Sequence, residues 1–244
     1  MCANVDRDSI RRRSPGSARL EPVQRQVFVI RFAAFFALTF VSAALTAAGP
    51  GTELDQSLKS IEDRYNRTQT LKLDFSETYV AAHKLSLTES GVLYLRKPGR
   101  MRWEYTSPAG KLFLADGKDT WAYTPENNRA ERTSLKLSED ARAPLAFLLG
   151  RLDFHKDFQA FTARTDDAGN WITARPKSQN LSYAQVELQS DSEGAIHRLR
   201  IINQDQSRIE YVFSNEQRNV SVAPGLFVFH PAAGTQVVSP EAEK

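Results

Sequence analysis

Between Arg100 and Tyr105 every second residue is large and apolar: Met101, Trp103 and Tyr105 alternate with Arg100, Arg102 and Glu104. A period of two sends successive side chains to opposite sides of an extended chain, so this stretch makes a strand with one dry face and one wet face. The rhythm recurs. Leu71, Leu73 and Phe75 alternate with Lys72, Asp74 and Ser76; Ala184, Val186 and Leu188 with Gln185, Glu187 and Gln189; Leu199 and Ile201 with Arg198, Arg200 and Ile202; Ile209, Tyr211 and Phe213 continue the series. Further extended runs are Lys84 to Lys97, Leu112 to Leu114, Trp121 to Tyr123 and Trp171 to Ala174, and the chain closes with Phe227, Phe229 and Pro231. Pro98-Gly99, Pro108-Ala109-Gly110, Asp116-Gly117 and Asp191 to Gly194 supply turns between them. Strands joined by short turns pair as an antiparallel meander, here of about nine to eleven strands.

Two segments read as helices instead. After a Gly49-Pro50-Gly51 linker, Thr52 is placed to cap a helix ending near Thr68, with Leu54, Leu58, Ile61 and Tyr65 on one face and Lys59, Glu62, Arg64 and Arg67 on the others. The second spans residues 138–150: Ser138, Glu139 and Asp140 lead, Gly150 ends it, and Pro144 starts a new turn or kinks it. Leu145, Phe147, Leu148 and Leu149 are more apolar bulk than one face needs, so this helix is buried or covers something apolar. Helices on one face of an antiparallel sheet give an α+β fold, and the arrangement expected is a single domain whose strongly curved sheet has helices over its open side.

The formal net charge of +3 suggests a nucleic-acid or membrane-surface partner, but its distribution removes the suggestion. Seven of the 32 basic and three of the 29 acidic residues lie in residues 1–48, which leaves 25 against 26 and a net charge of −1 for the remainder. No nucleic-acid partner is therefore expected. The leader itself reads as an export signal. Arg25 and Arg31 precede the uncharged run from Phe32 to Leu45, and Thr46, Ala47, Ala48 and Gly49 follow it. A basic region, a short apolar core and a small-residue site make the secretory pattern, with cleavage expected near Ala47 or Ala48. The run falls short of the roughly 20 apolar residues of a membrane span, and an uncleaved anchor is the alternative. Its basic region is over-long, and a translation start nearer Val27 or Val29 is expected. The mature chain is then residues 49–244. Cys2 is the only cysteine and no lipobox follows the apolar run, so a disulfide, a cysteine-based metal site and a thiol nucleophile are not expected.

Little else points to covalent chemistry. His83, His155, His197 and His230 show no metal-ligand spacing, and neither a Gly-x-Ser-x-Gly elbow nor a phosphate-binding glycine loop occurs. Asp166-Asp167 and Asp191 with Glu193 sit beside glycines, as turn carboxylates do. The remaining signal is aromatic: Tyr94, Trp103, Tyr105, Phe113, Trp121 and Tyr123 crowd one stretch. They make either a well-packed core or an apolar wall broad enough to hold a ligand. Arg96 and Lys97 end one of these strands. Such a cation is either solvated or bonded to the exposed carbonyls of a helix end, where it can hold a lid closed.

The run Gly91-Val-Leu-Tyr-Leu-Arg-Lys-Pro-Gly-Arg-Met-Arg-Trp-Glu-Tyr, then Pro108, Leu114-Ala-Asp-Gly-Lys and Trp121-Ala-Tyr-Thr-Pro125, resembles the outer-membrane lipoprotein carrier family, LolA. Leu73-Asp-Phe-Ser-Glu, the helix from Pro144 to Leu149, Gly194-Ala-Ile-His and the closing Phe227, Phe229 and Pro231 also fit, so the likeness covers most of residues 53–240. The resemblance implies an incomplete, half antiparallel β-barrel with a helical lid over its open side. It implies a periplasmic, monomeric chaperone with no cofactor, no metal and no enzymatic activity. Such a carrier takes triacylated lipoproteins from an inner-membrane ABC transporter to an outer-membrane receptor. By position, the acyl-chain cavity would present Leu93, Leu95, Met101, Trp103, Tyr105 and Phe113, and the lid would include Tyr65, Leu145 and Leu148. The family's latching arginine aligns with Lys97, one place after Arg96, so either Lys97 latches the lid as a point charge or the strand slips by one. The alternatives are a lipid-binding receptor or envelope-stress sensor on the same fold, or an envelope enzyme acting on lipid. The missing lipobox, the absence of residues for a second domain and the lack of a catalytic constellation weigh against them.

Overall fold

The strands pair as their alternation requires. The computed structural model describes residues 50–81, 86–135, 151–166, 169–179 and 181–239. The expected leader and the expected helix over 138–150 lie outside the described residues. A helix, α1 (Pro50–Asn66), is followed by β1 (Thr70–Val80), β2 (Ser86–Arg96), β3 (Arg100–Ser107), β4 (Ala109–Asp116), β5 (Asp119–Thr124) and β6 (Arg129–Ser134). A single helical turn, Phe154–Asp157, leads into β7 (Phe158–Asp166), β8 (Gly169–Pro176), β9 (Tyr183–Ser190), β10 (Ile196–Asn203) and β11 (Arg208–Arg218), and β12 (Gln236–Val238) comes last. They form one open sheet in the order β12-β6-β5-β4-β3-β2-β1-β11-β10-β9-β8-β7. The chain is thus mostly β-sheet with few helices among the described residues.

Eleven of the strands run antiparallel, and β12 adds a twelfth that pairs with β6 in parallel. The sequence does not announce β6, β7 or β12. β6 reads Arg-Ala-Glu-Arg-Thr-Ser, and β7 is exposed along most of its length at the sheet edge. Neither carries the alternation that one dry face imposes. Pro50 and Gly51, read as linker, belong to α1, because proline suits a first helical turn whose N–H groups lack partners anyway. Thr52 therefore lies inside the helix.

One face of the sheet is dry. Leu71, Leu73, Phe75, Leu93, Leu95, Met101, Trp103, Leu188, Leu199, Ile201, Tyr211 and Phe213 are all buried in one cluster that also takes Leu58, Ile61 and Tyr65 of α1. Leu54 packs against its edge. The sheet is concave on this side. β3 and β11 are three strand spacings apart, about 14 Å on a flat sheet. Yet the rings of Trp103 on β3 and Tyr211 on β11 have centroids 5.4 Å apart. The opposite, outer face carries ion pairs. Trp171 is buried there between the guanidinium groups of Arg200 at 4.0 Å and Arg164 at 5.1 Å, with Nε1–H donating to Asp166.

The β9–β10 hairpin seats α1. Gly194 turns with φ +79, and a Cβ there would lie 2.5 Å from the backbone carbon and oxygen of Ser60. Backbone cannot swing aside as a side chain can, so Gly194→Ala both strains the turn and pushes α1 off the sheet. It is expected to cost about 2 kcal/mol or more in urea unfolding. Gly117→Ala shares a positive φ but meets only the flexible Arg100 side chain, at 3.8 Å. It should cost clearly less, and equal losses would contradict the close approach.

Candidate functional site

Strand register decides which side chains share a surface. Leu93 faces Trp103, Trp103 faces Phe113, Leu95 faces Met101 and Gly91 faces Tyr105. The six cavity residues that the resemblance implies, Leu93, Leu95, Met101, Trp103, Tyr105 and Phe113, therefore all stand on the concave face. Leu93, Leu95, Met101, Trp103 and Tyr105 are buried, and Phe113 is half-buried against them. The wall continues onto strands not singled out as lining. Phe75 meets Trp103 at 4.6 Å and Tyr105 at 5.1 Å, both edge to face, and Tyr211 stacks on Phe213 at 6.0 Å. Edge-to-face pairs are worth about 0.5–1.5 kcal/mol beyond their buried area, so this face is well packed as well as apolar.

The other aromatics of the crowded stretch belong elsewhere. Leu114 faces Trp121 and Leu112 faces Tyr123, which puts both aromatics in the phase opposite to Phe113. Tyr94 faces Arg102 and Lys72, also on the outer side. Trp121 stacks on Phe229 at 4.9 Å, with Arg132 5.3 Å from its ring, and the C-terminal turn Pro224–Phe227 lies beside them. Nearness along the chain does not reveal the phase of alternation. The six aromatics thus divide between two faces.

The last turn of α1 is tied to several elements. The Tyr65 hydroxyl donates to Glu216 Oε2 at 2.8 Å and accepts from the Ile196 amide at 3.0 Å. Burial, reinforced by the Glu216 charge, pushes its pKa far up, so it stays a neutral donor. Arg64 Nη2 donates to the same carboxylate at 2.7 Å. Asn66 exchanges two hydrogen bonds with the backbone of Leu152, and Glu62 accepts from the Phe154 amide at 2.7 Å. Lys97 Nζ donates to the Tyr65 carbonyl at 2.8 Å, an ammonium on a helix C-terminus where the helix dipole favours it. Burial lowers the Lys97 pKa. Arg96 points to the outer face beside Arg100, and its side chain has no hydrogen-bond or ion-pair partner among the described residues. Leu145 and Leu148, expected in the lid, lie outside the described residues. Simple alternation from Tyr211 and Phe213 does not bring Glu216 to Tyr65, because a bulge intervenes. The register between β1 and β11 shifts beside Asn215, whose φ is 53, and this returns Glu216 to the inner phase.

A family model described as outer membrane lipoprotein carrier protein LolA matches residues 66–230. An outer-membrane lipoprotein carrier protein of Nitrosospira multiformis is 28% identical over 211 residues, 86% of this chain and 97% of the relative. One from Chromobacterium violaceum is 26% identical over 200 residues, 82% of this chain and 96% of the relative. Among solved structures, a LolA superfamily protein from Nitrosomonas europaea aligns with a TM-score of 0.42 and 11% identity, over 72% of this chain and 97% of that one.

Lys97→Met removes a charged donor from the α1 terminus. Hydrogen bonds to charged groups are worth about 1.5–3 kcal/mol, so amide exchange in the last turn of α1 should speed about tenfold or more. Arg96→Met should leave that exchange unchanged. Equal effects of the two variants would contradict the assignment of the contact to Lys97.

Proposed function

Because the chain belongs to the outer-membrane lipoprotein carrier family LolA, we propose that it carries lipoproteins across the periplasm by sheltering their acyl chains on its concave face. It receives triacylated lipoproteins from an inner-membrane ABC transporter and delivers them to an outer-membrane receptor. It works as a monomer, reaches the periplasm by cleavage of the leader near Ala47 or Ala48, and catalyses no covalent step. The fold in this reading is a half-barrel whose open side is covered by helices, α1 among them, and Leu145 and Leu148, which lie outside the described residues, are the further lid residues it assigns.

One observation carries the reading: Leu93, Leu95, Met101, Trp103, Tyr105 and Phe113 stand together on the concave side of an open sheet. Each acyl methylene moved from water to such a surface contributes about 0.8 kcal/mol. A ready-made cavity for three chains would bind almost irreversibly. An empty state closed by its own helices lowers the affinity, because the cargo must first displace contacts the protein makes with itself. The Lys97 bond to the Tyr65 carbonyl is one such contact, and Lys97 is the proposed latch.

Phe113 is half-buried, so a charge there spoils the wall while the chain can still fold. Phe113→Glu should keep the native circular dichroism and lose at least tenfold in release of a lipoprotein from inner-membrane vesicles. Undiminished release would contradict the wall. An equal loss from Val228→Glu, on the outer side and 47% exposed, would mean that the effect is not specific to the concave face.

A further inference from the structure

Along the concave face the apolar phase is interrupted by a polar band. On β1 the inward residues run Leu71, Leu73, Phe75, Glu77, Tyr79, and on β2, in the facing order, Leu95, Leu93, Gly91, Glu89, Leu87. Glu77 and Glu89 therefore stand directly opposite one another. Like charges so placed destabilise a sheet, and an apolar pair would cost nothing. The band is completed from both sides. The Tyr105 hydroxyl donates to Glu77 Oε2 at 2.9 Å, Tyr211 bonds the same carboxylate, and Lys111 on β4 pairs with Glu89 while standing 4.4 Å over the Tyr105 ring. Burial pushes the Glu77 carboxyl above the usual range and the facing Glu89 adds to this, while Tyr105 and Lys111 oppose it. Beyond the band the face becomes apolar again and open: Tyr79 is 38% and Leu87 59% exposed.

The band has bonding capacity to spare. An ammonium has three donors and a carboxylate about four acceptor positions, more than the contacts above use. Free donors suit ester and amide carbonyls, and free acceptors suit amide N–H groups. The spacing also fits. Leu95 to Glu89 is six residues of strand, about 20 Å of wall. A bilayer core of about 30 Å holds two chains end to end, so one acyl chain needs about 15 Å. An acyl chain lying along Leu93, Leu95, Met101 and Trp103 would bring its linkage to the band.

We propose that Glu77, Glu89, Lys111, Tyr105 and Tyr211 form a collar that receives the ester and amide linkages of an acylated N-terminus. Cargo then lies with its chain ends toward the last turn of α1 and its peptide leaving past Tyr79 and Leu87. The inference rests on the carrier reading and deepens it by giving the cargo a direction.

Paramagnetic broadening of backbone amides in the isotope-labelled protein tests this without any substitution. The probes are a synthetic triacylated lipopeptide with a nitroxide on the residue after the acylated cysteine, and the same lipopeptide with the nitroxide near an acyl methyl end. The peptide label should broaden Tyr79 and Leu87 and spare Leu95 and Met101; the chain-end label should do the reverse. The opposite pattern, or broadening of both ends by the chain-end label, would overturn the collar while leaving the carrier reading intact. No broadening of the concave face by either label would overturn both. A phospholipid with a nitroxide on its headgroup distinguishes the source of the linkage. Broadening at Tyr79 and Leu87 supports a collar that reads acyl esters in general, and its absence supports one that requires the amide and peptide.

Discussion

A phenol hydroxyl in a dry interior has to find partners, and Tyr65 finds them on two strands of the sheet, Glu216 on β11 and the Ile196 amide on β10. The cost of leaving such a group unpaired is about 1–3 kcal/mol, so this side chain holds α1 in one place. The neighbours of Tyr65 extend the attachment. Arg64 shares Glu216, Asn66 pairs with Leu152, and Lys97 bonds the Tyr65 carbonyl. The helix is thereby fixed over the concave face by polar bonds at its end, while Leu58 and Ile61 bury its middle. Polar bonds at the rim and apolar contact beneath suit a cover that has to stay closed when empty. Hydrogen bonds can be exchanged one by one, whereas a packed core resists gradual change.

The concave face combines two demands that conflict. To fold, its aromatic residues must be buried, and Trp103, Phe75, Tyr105 and Tyr211 satisfy one another through edge-to-face and tilted contacts. To carry a lipid, the same surface must be able to give up some of these contacts. The proposed carrier resolves the conflict through the cover, whose contacts cargo displaces. The Glu77 and Glu89 pair sits where apolar residues would stabilise the sheet more, and a ligand-facing role gives that placement a reason.

Much of this was legible in the residues. The alternation of Met101, Trp103 and Tyr105 dictated a strand and assigned the three to one face, and the period of Leu54, Leu58, Ile61 and Tyr65 placed α1 on the core. What stayed hidden has physical causes. β6 has no apolar face to alternate, β12 with three residues is too short to show a period, and β7 lies exposed at the edge. The faces of Trp121 and Tyr123 follow from hairpin register, which proximity in the chain does not encode. Glu216 reaches Tyr65 only because a bulge shifts its phase. The collar was visible in principle, since Glu77 and Glu89 occupy the apolar phase of their strands, but a carboxylate in an inward position is easily taken for the end of a strand.

Native mass spectrometry of the protein isolated from its own envelope tests the central claim, that the concave face shelters lipoprotein acyl chains. The expected species is the chain with a single triacylated lipoprotein bound, lost when Phe113 is replaced by Glu. A chain carrying only free glycolipid, or a lipoprotein complex that persists unchanged in the Phe113→Glu variant, would contradict it.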